Sequence, residues 1–319
     1  MLNGFCHTVI GASHIKGGTV CQDSSVFRTY DNYGIAVVAD GHGSKRHFRS
    51  DKGSEMAVAA ALDAVEEFYK DPDAFEESFL RDPETIIKKI EKNIISRWNR
   101  LVIHHYTHNP YTDEEKERFT EKEFKRLKVE TVYGTTLIVA VMGRKFTFGT
   151  QIGDGSLVLI CEDAAAEMPI GYEESAPANL TASMCNSQAI NYFNSFYTTD
   201  EKPIAVFVST DGLYTSFKTD EDFLDYHSIL ASQLINIEKF KPSIRKNLSK
   251  RSRSGTEDDT SLACVFDESI LPEKQEELKE QVEVNKIHAS MRKAEHKARM
   301  EKQRFKNQIN RQNAIEDND

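Results

Sequence analysis

The sequence predicts an α+β fold with largely antiparallel sheets, and three features of its pattern lead there. Short apolar β runs are joined by tight turns, two helices follow one hairpin instead of alternating with strands, and the composition changes after Pro272. With 319 residues, 39% of them hydrophobic and 29% charged, the chain can bury one sizeable core and carry an appendage.

Strands are expected first over 8–10 and 25–30. The turn Asp31-Asn32-Tyr33-Gly34 then leads into an apolar strand over 35–39, closing a hairpin. After a Ser50 cap, Ala57, Ala60, Ala61, Ala64, Val65 and Phe68 recur at helical spacing. Asp82-Pro83 starts a second helix with Ile87, Ile90, Ile94, Trp98 and Leu101 on one face. The charged stretch 109–130 connects or extends this layer. Strand character returns over 134–142, 145–152 and 156–161. Residues 163–200 show little periodicity and read as a surface insertion. Further strands are expected over 204–208 and 261–266.

Two parts follow from composition: a body over 1–271 and a charged, helical C-terminal extension over 272–319. The body holds 30 Lys or Arg against 41 Asp or Glu, whereas the tail holds 11 against 10. Residues 284–311 carry nine Lys or Arg and only Glu295 and Glu301 as acids, behind an acidic block over 273–283, a gradient that suits the dipole of one helix. Val284, Ile287, Met291, Ala294, Ala298 and Phe305 form a stripe that Glu301 and Gln308 interrupt. A single amphipathic helix, solvated or docking a protein partner, is therefore expected rather than a coiled coil.

Several function classes are disfavoured. Five cysteines without a C-x-x-C spacing argue against a disulfide framework or structural zinc and for reduced thiols. A net charge of −10 is unlike a nucleic-acid binder. The longest apolar runs fall far short of the roughly 20 residues of a membrane span, and the first residues show no basic flank followed by an apolar stretch. A cytoplasmic protein that contacts neither nucleic acid nor membrane is expected.

The chemistry concentrates in Asp40, Asp154 and Asp211, each at or just past the end of an apolar strand and each followed by glycine. Asp-Gly is by itself a strong turn signal. Strand ends also hold carboxylates rigidly, and several converging on one site repel unless hard cations such as Mg²⁺ or Mn²⁺ neutralise them.

An ordered series of segments resembles the metal-dependent serine/threonine protein phosphatases of type 2C. Gln22-Asp23-Ser24 is similar to the family's first acidic motif, and Val37-Val38-Ala39-Asp40-Gly41-His42-Gly43 to its D-G-H-G signature. Tyr133-Gly134-Thr135-Thr136, then Ile152-Gly153-Asp154-Gly155, resemble its central motifs. Val208-Ser209-Thr210-Asp211-Gly212 and Gly255-Thr256-Glu257-Asp258-Asp259-Thr260-Ser261 resemble the last two. The opening Gly11-x-Ser13-His14 with Cys21-Gln22-Asp23, and Ala178-Asn179-Leu180-Thr181, look like a bacterial-type branch.

The resemblance implies two stacked antiparallel β-sheets flanked by helices, with a metal site at one end. It further implies that Asp40 bridges two ions, Mg²⁺ or Mn²⁺, that Gly41 lends its carbonyl, and that Asp211 and Asp258 complete one shell. Asp23 orients water, and Asp154 with Asp211 can hold a weaker third ion. Water activated by the ions attacks phosphorus in line, and His42 is placed to protonate the departing seryl or threonyl oxygen of a phosphoprotein substrate. Departures are Gln22 where many relatives carry Glu, Ser156 and Thr215 in later motifs, and Gly18 near the position of a phosphate-binding arginine, for which Lys16 or His14 are candidate replacements. A pseudophosphatase binding module and a hydrolase of small phosphoesters are the competing readings. Outside these motifs, the basic run Lys241, Arg245, Lys246, Lys250, Arg251 and Arg253 reads as a solvated connector or a phosphopeptide-docking patch.

Overall fold

The computed structural model describes residues 1–171 and 181–316, with side chains as far as Gln303, so Ala178-Asn179-Leu180 and the Phe305 side chain lie outside the described residues. Among the described residues there are ten strands, the inner ones alternating apolar residues between two faces. They are β1 (Leu2–Val9), β2 (Asp23–Thr29), β3 (Tyr33–Asp40), β4 (Leu137–Gly143), β5 (Thr147–Ile152), β6 (Ser156–Ile160), β7 (Ala166–Glu167), β8 (Asn194–Thr198), β9 (Ala205–Ser209) and β10 (Thr260–Asp267). They pair antiparallel into two five-stranded sheets, ordered β1-β10-β9-β6-β7 and β2-β3-β4-β5-β8.

The period of two decides the layers. In β3, Ala36 and Val38 meet Val206, Val208, Ala263 and Val265 of the other sheet in an inner core. Ile35, Val37 and Ala39 point the opposite way, into an outer core with α2 (Ser50–Phe68) and α4 (Pro83–His108). A second outer core joins the other sheet to α9 (Asp220–Ser232), α10 (Ile237–Ser254) and the start of α11 (Leu271–Glu316). Helix, sheet, sheet and helix thus stack as the sequence leads one to expect.

Local details differ. The first two strands run earlier and longer than 8–10 and 25–30. Ser50 is the first helical residue and makes no capping bond; its Oγ instead accepts a hydrogen bond from Gln22 Nε2 at 2.8 Å. On α4 the buried face runs Ile87, Ile90, Ile94, Trp98 and Val102, because four-residue steps from Trp98 reach 102 and leave Leu101 exposed. Within 163–200 the strand β8 adds an edge to the second sheet. An unanticipated α3 (Pro72–Arg81), capped by Asp71, precedes α4, and 109–130 folds into three short helices, α5 (Asp113–Glu117), α6 (Glu121–Phe124) and α7 (Val129–Val132).

The C-terminal helix docks by a different stripe from the anticipated one. Leu271 and Leu278 join the outer core, Val282 is buried, Gln275 Nε2 donates to the Ser232 carbonyl at 3.1 Å, and Asn285 Nδ2 donates to Ser228 Oγ at 3.1 Å. Arg292 Nη2 reaches Asp225 Oδ2 at 2.7 Å. Those residues recur at heptad spacing against α9, whereas Ile287 is 60% exposed and Met291 56% exposed. No helix among the described residues is long and apolar enough to cross a membrane.

Candidate metal centre

Five separate segments deliver the aspartates. Asp23 opens β2 and Asp40 closes β3, and the register sets the two directly opposite each other. Asp154 occupies the turn between β5 and β6, Asp211 starts the short α8 (Asp211–Tyr214) straight after β9, and Asp258 precedes β10. Threonines fix their backbones and side chains. Thr136 N and Thr135 Oγ1 both donate to the Asp40 carbonyl at 2.8 Å, while Asp40 N donates to Thr136 Oγ1 at 3.0 Å. Thr210 Oγ1 donates to Asp23 Oδ2 at 2.8 Å and accepts from Ser261 N at 2.9 Å, so one hydroxyl ties β2 to both β9 and β10. Thr181 Oγ1 donates to Asp154 Oδ2 at 2.8 Å.

Two glycines have steric reasons. A Cβ on Gly41 would lie 2.6 Å from the Ser50 carbonyl oxygen and 2.7 Å from that of Gln22, so a side chain here would push α2 off the end of β3. Gly153 has φ +110°, a region L side chains rarely adopt, and a Cβ there would meet Thr136 Cγ2 at 2.5 Å.

Burial, together with the charge of neighbouring carboxylates, sets the electrostatics. Burial pushes Asp23 well above the usual carboxylate range, and Asp259 and Asp211 push it further. Asp40 is raised well above that range by burial, then by Asp23 and Asp211. Asp211 is pushed up to about 6, chiefly by burial. Asp258, at the open rim, is raised mainly by partial desolvation. Asp40 and Asp211 lie close enough for each to act on the other, and two like charges so placed are relieved by a proton or a cation.

This donor set fits a hard divalent ion. Asp23 Oδ1 and Asp211 Oδ1 are buried without a hydrogen-bond partner among the described residues. Carboxylate oxygens of this kind are what Mg²⁺ and Mn²⁺ take. Among the described residues no three His, Cys, Asp or Glu side chains form a closed metal-binding cluster.

His42 is half-buried, its backbone N–H donates to the Gly134 carbonyl at 3.1 Å, and its ring lies 4.9 Å from that of His47. Burial lowers its pKa and the charge of Asp154 opposes that shift. His14 and Lys16, the candidate phosphate ligands, are both engaged by acids: His14 Nδ1 lies 2.9 Å from Asp259 Oδ2, and Lys16 Nζ lies 2.5 Å from Glu257 Oε1. Asp259 is a buried structural acid, accepting from Gly11 N and Gln22 N at 2.6 Å each. Its neighbour Asp258 accepts from Asp259 N at 2.8 Å and adds its charge to those acting on Asp40 and Asp211.

A sequence profile described as Protein phosphatase 2C matches residues 10–251, which takes in every motif segment except 255–261. The chain belongs to the protein phosphatase 2C family. It is accordingly a metal-dependent protein serine/threonine phosphatase. A comparison with curated proteins finds no match. Among solved structures, a serine/threonine phosphatase of S. agalactiae is similar at 14% identity, covering 83% of this chain and 99% of its own, with a TM-score of 0.52. PppA, a key regulatory component of T6SS in Pseudomonas aeruginosa, is similar at 13% identity over 83% and 97% of the two chains, with a TM-score of 0.51. A bacterial serine phosphatase gives 15%, 83%, 98% and 0.50. At these identities the likeness of this phosphatase to the three is one of fold.

The threonines that hold the aspartates were not singled out in the sequence as site residues, although Thr135, Thr136 and Thr210 stand inside the quoted motifs. Position is the signal at three of them: Thr135, Thr136 and Thr210 lie within two residues of a motif Gly or Asp, and Thr181 has none so near.

Proposed function

We propose that Asp40, Asp211 and Asp258, with the carbonyl of Gly41, hold two Mg²⁺ or Mn²⁺ ions, and that Asp23 orients water of that shell. Asp154 with Asp211 takes a weaker third ion. The carrying observation is the convergence of carboxylates at one end of the sandwich with no Lys or Arg among the main groups acting on Asp23, Asp40 or Asp211. Their charge therefore has to be balanced from outside the chain. Divalent ions at such a site lower the pKa of water and neutralise charge on a phosphoryl group.

The remaining steps belong to the protein. Asp23, held by Thr210, keeps one free carboxylate oxygen for orienting water. His42, beside Asp40, gives a proton to the departing seryl or threonyl oxygen, and Asp154 supports the protonated ring against the cost of burial. Substrates on this reading are phosphoproteins, and the five unpaired thiols suit the cytosol. Residues 1–271 carry the catalysis and the tail takes no chemical part.

Phosphate release from a phosphothreonine peptide and from an aryl phosphate, with Mn²⁺ or chelator, tests this. Both reactions should require the metal, and His42→Ala should lose about 100-fold or more on the peptide but little on the aryl ester, whose leaving group departs unprotonated. Release in chelator, or equal losses on both substrates, would overturn it.

A further inference from the structure

One helical turn past Asp211, the chain walls a cavity of about 250 Å³ lined by Ser216, Asn247, Lys250, Arg251, Ser254 and Gly255. Its cationic wall is α10, which carries seven Lys or Arg against Glu238 alone in a protein of net charge −10. Such a concentration of positive charge in an acidic protein makes an attractive well for anions.

Arg251 is what distinguishes the cavity from a solvated basic face. Its guanidinium lies 3.8 Å from the centre of the Phe217 ring and 4.5 Å from that of Tyr226, so its plane is fixed by stacking on both. Nε donates to Asn247 Oδ1 at 3.1 Å and Nη1 to Ser216 Oγ at 3.4 Å. Among the described residues it forms no salt bridge, and its guanidinium keeps donors beyond those given to Asn247 and Ser216. A planar, oriented arginine beside Lys250 and the Ser254 hydroxyl is a donor set that recognises phosphoryl oxygens, while Ser216, whose hydroxyl donates to the Leu213 carbonyl, helps to hold the arginine.

The cavity is also tied to the metal centre. Thr256 Oγ1, next to Gly255, donates to the Gly212 carbonyl at 3.3 Å, and Ser252 Oγ donates to the Asp258 carbonyl at 2.9 Å. Thr215, beside Ser216, donates through Oγ1 to the Asp211 carbonyl at 2.7 Å. Three helical steps to Tyr214 and two further steps at most extended keep Ser216 within about 12 Å of Asp211, which an extended peptide of up to four residues spans.

We propose that this cavity is a second phosphoryl-binding subsite, which holds a phosphorylated residue a few positions from the one being hydrolysed and so selects multiply phosphorylated segments of protein substrates. The proposal rests on the phosphatase reading of the aspartate site, and its test separates the two.

The measurement uses the full chain with Mn²⁺ and three peptides: one with a single phosphothreonine, and two that add either phosphoserine or glutamate two to four residues away. The second phosphate should lower KM about tenfold with kcat little changed, and glutamate should give much less. In Lys250→Glu, an exposed position whose substitution leaves the fold intact, and independently in Arg251→Gln, that advantage should disappear. Equal KM for the singly and doubly phosphorylated peptides, an advantage retained in both variants, or an equal gain from glutamate would overturn the subsite. If no peptide is hydrolysed, the phosphatase reading fails by itself, and fluorescence anisotropy of the labelled doubly phosphorylated peptide then decides. Tighter binding than the singly phosphorylated peptide, lost in Lys250→Glu, sustains the subsite; no difference ends it.

Discussion

Asp23 and Asp40 are direct cross-strand partners, two carboxyl groups set side by side on β2 and β3 where an ordinary sheet would place an apolar or oppositely charged pair. Like charges so placed destabilise a sheet, and the charge of Asp211 acting on Asp40 adds a third acid. The end of the sandwich therefore carries a stability cost that only protons or cations relieve, which is the mark of a binding site rather than of packing.

Asp40→Asn should expose this trade. Without metal, the variant should melt a few degrees above the parent, because one repelling charge is gone while the Thr135 and Thr136 bonds to the backbone stay. With Mn²⁺ it should show a much smaller stabilisation, and phosphatase activity should fall about 100-fold or more. Thermal melts with and without Mn²⁺ check both. A variant less stable than the parent in chelator would mean that Asp40 is held by attraction, not repulsion.

The same carboxylates set a pH dependence. Asp211 is pushed up to about 6, with Asp23 and Asp40 raised as well, so their folded values exceed the unfolded ones near 4. The metal-free protein consequently gains from protonation at low pH and loses that stability as pH rises through about 6. Metal binding must displace those protons, so it tightens over the same interval. The melting shift produced by a fixed Mn²⁺ concentration should be clearly larger at pH 7.5 than at pH 5. Equal shifts would show that the ligands are already ionised at pH 5.

Neighbouring acids should separate cleanly. Asp258→Ala should leave the melting temperature in chelator within a degree or two while removing most of the Mn²⁺ response, since its side chain stands at the rim and acts on Asp40 and Asp211. Asp259→Ala should destabilise the fold by about 3 kcal/mol or more, because its two oxygens accept from the backbone of Gly11 and Gln22 and face His14. Denaturant melts of the two variants decide. A reversal would shift the register of the last motif by one residue.

Much of this site could be read in the chain before its coordinates, because an Asp-Gly pair at the end of an apolar run is a local pattern. What closes the site is not local. The hydroxyl of Thr210 reaches Asp23 across 187 positions, and no property of either residue announces the bond. The strand β8, Asn-Ser-Phe-Tyr-Thr at a half-exposed edge, lacks the apolar alternation that marks inner strands. On α11 the docking stripe mixes leucine and valine with Gln275, Asn285 and Arg292, so the more uniformly apolar Val284, Ile287 and Met291 look like the buried face while the polar members do the docking. Polar side chains that pair across an interface are invisible to a hydrophobic pattern.

That stripe leads to the last prediction. Leu278 and Val282 are buried against the body, each contributing about 1.5–3 kcal/mol of apolar burial, whereas every described residue from Lys293 onward is exposed. A chain ending at Met300 should keep its melting temperature within about 2 °C and its metal-dependent turnover of short phosphopeptides. A chain ending at Leu271 leaves α9 uncovered and should melt several degrees lower, yet below that temperature its kcat/KM per folded molecule should match the parent, because the motif aspartates and His42 all lie upstream. Melts and single-peptide kinetics on both shortened chains give the answer. If the chain ending at Leu271 were as stable as the parent, the docking of α11 would contribute nothing to the fold; if it were folded but inactive, the helix would be ordering the metal centre through α9, and residues 1–271 would not be the whole catalytic unit.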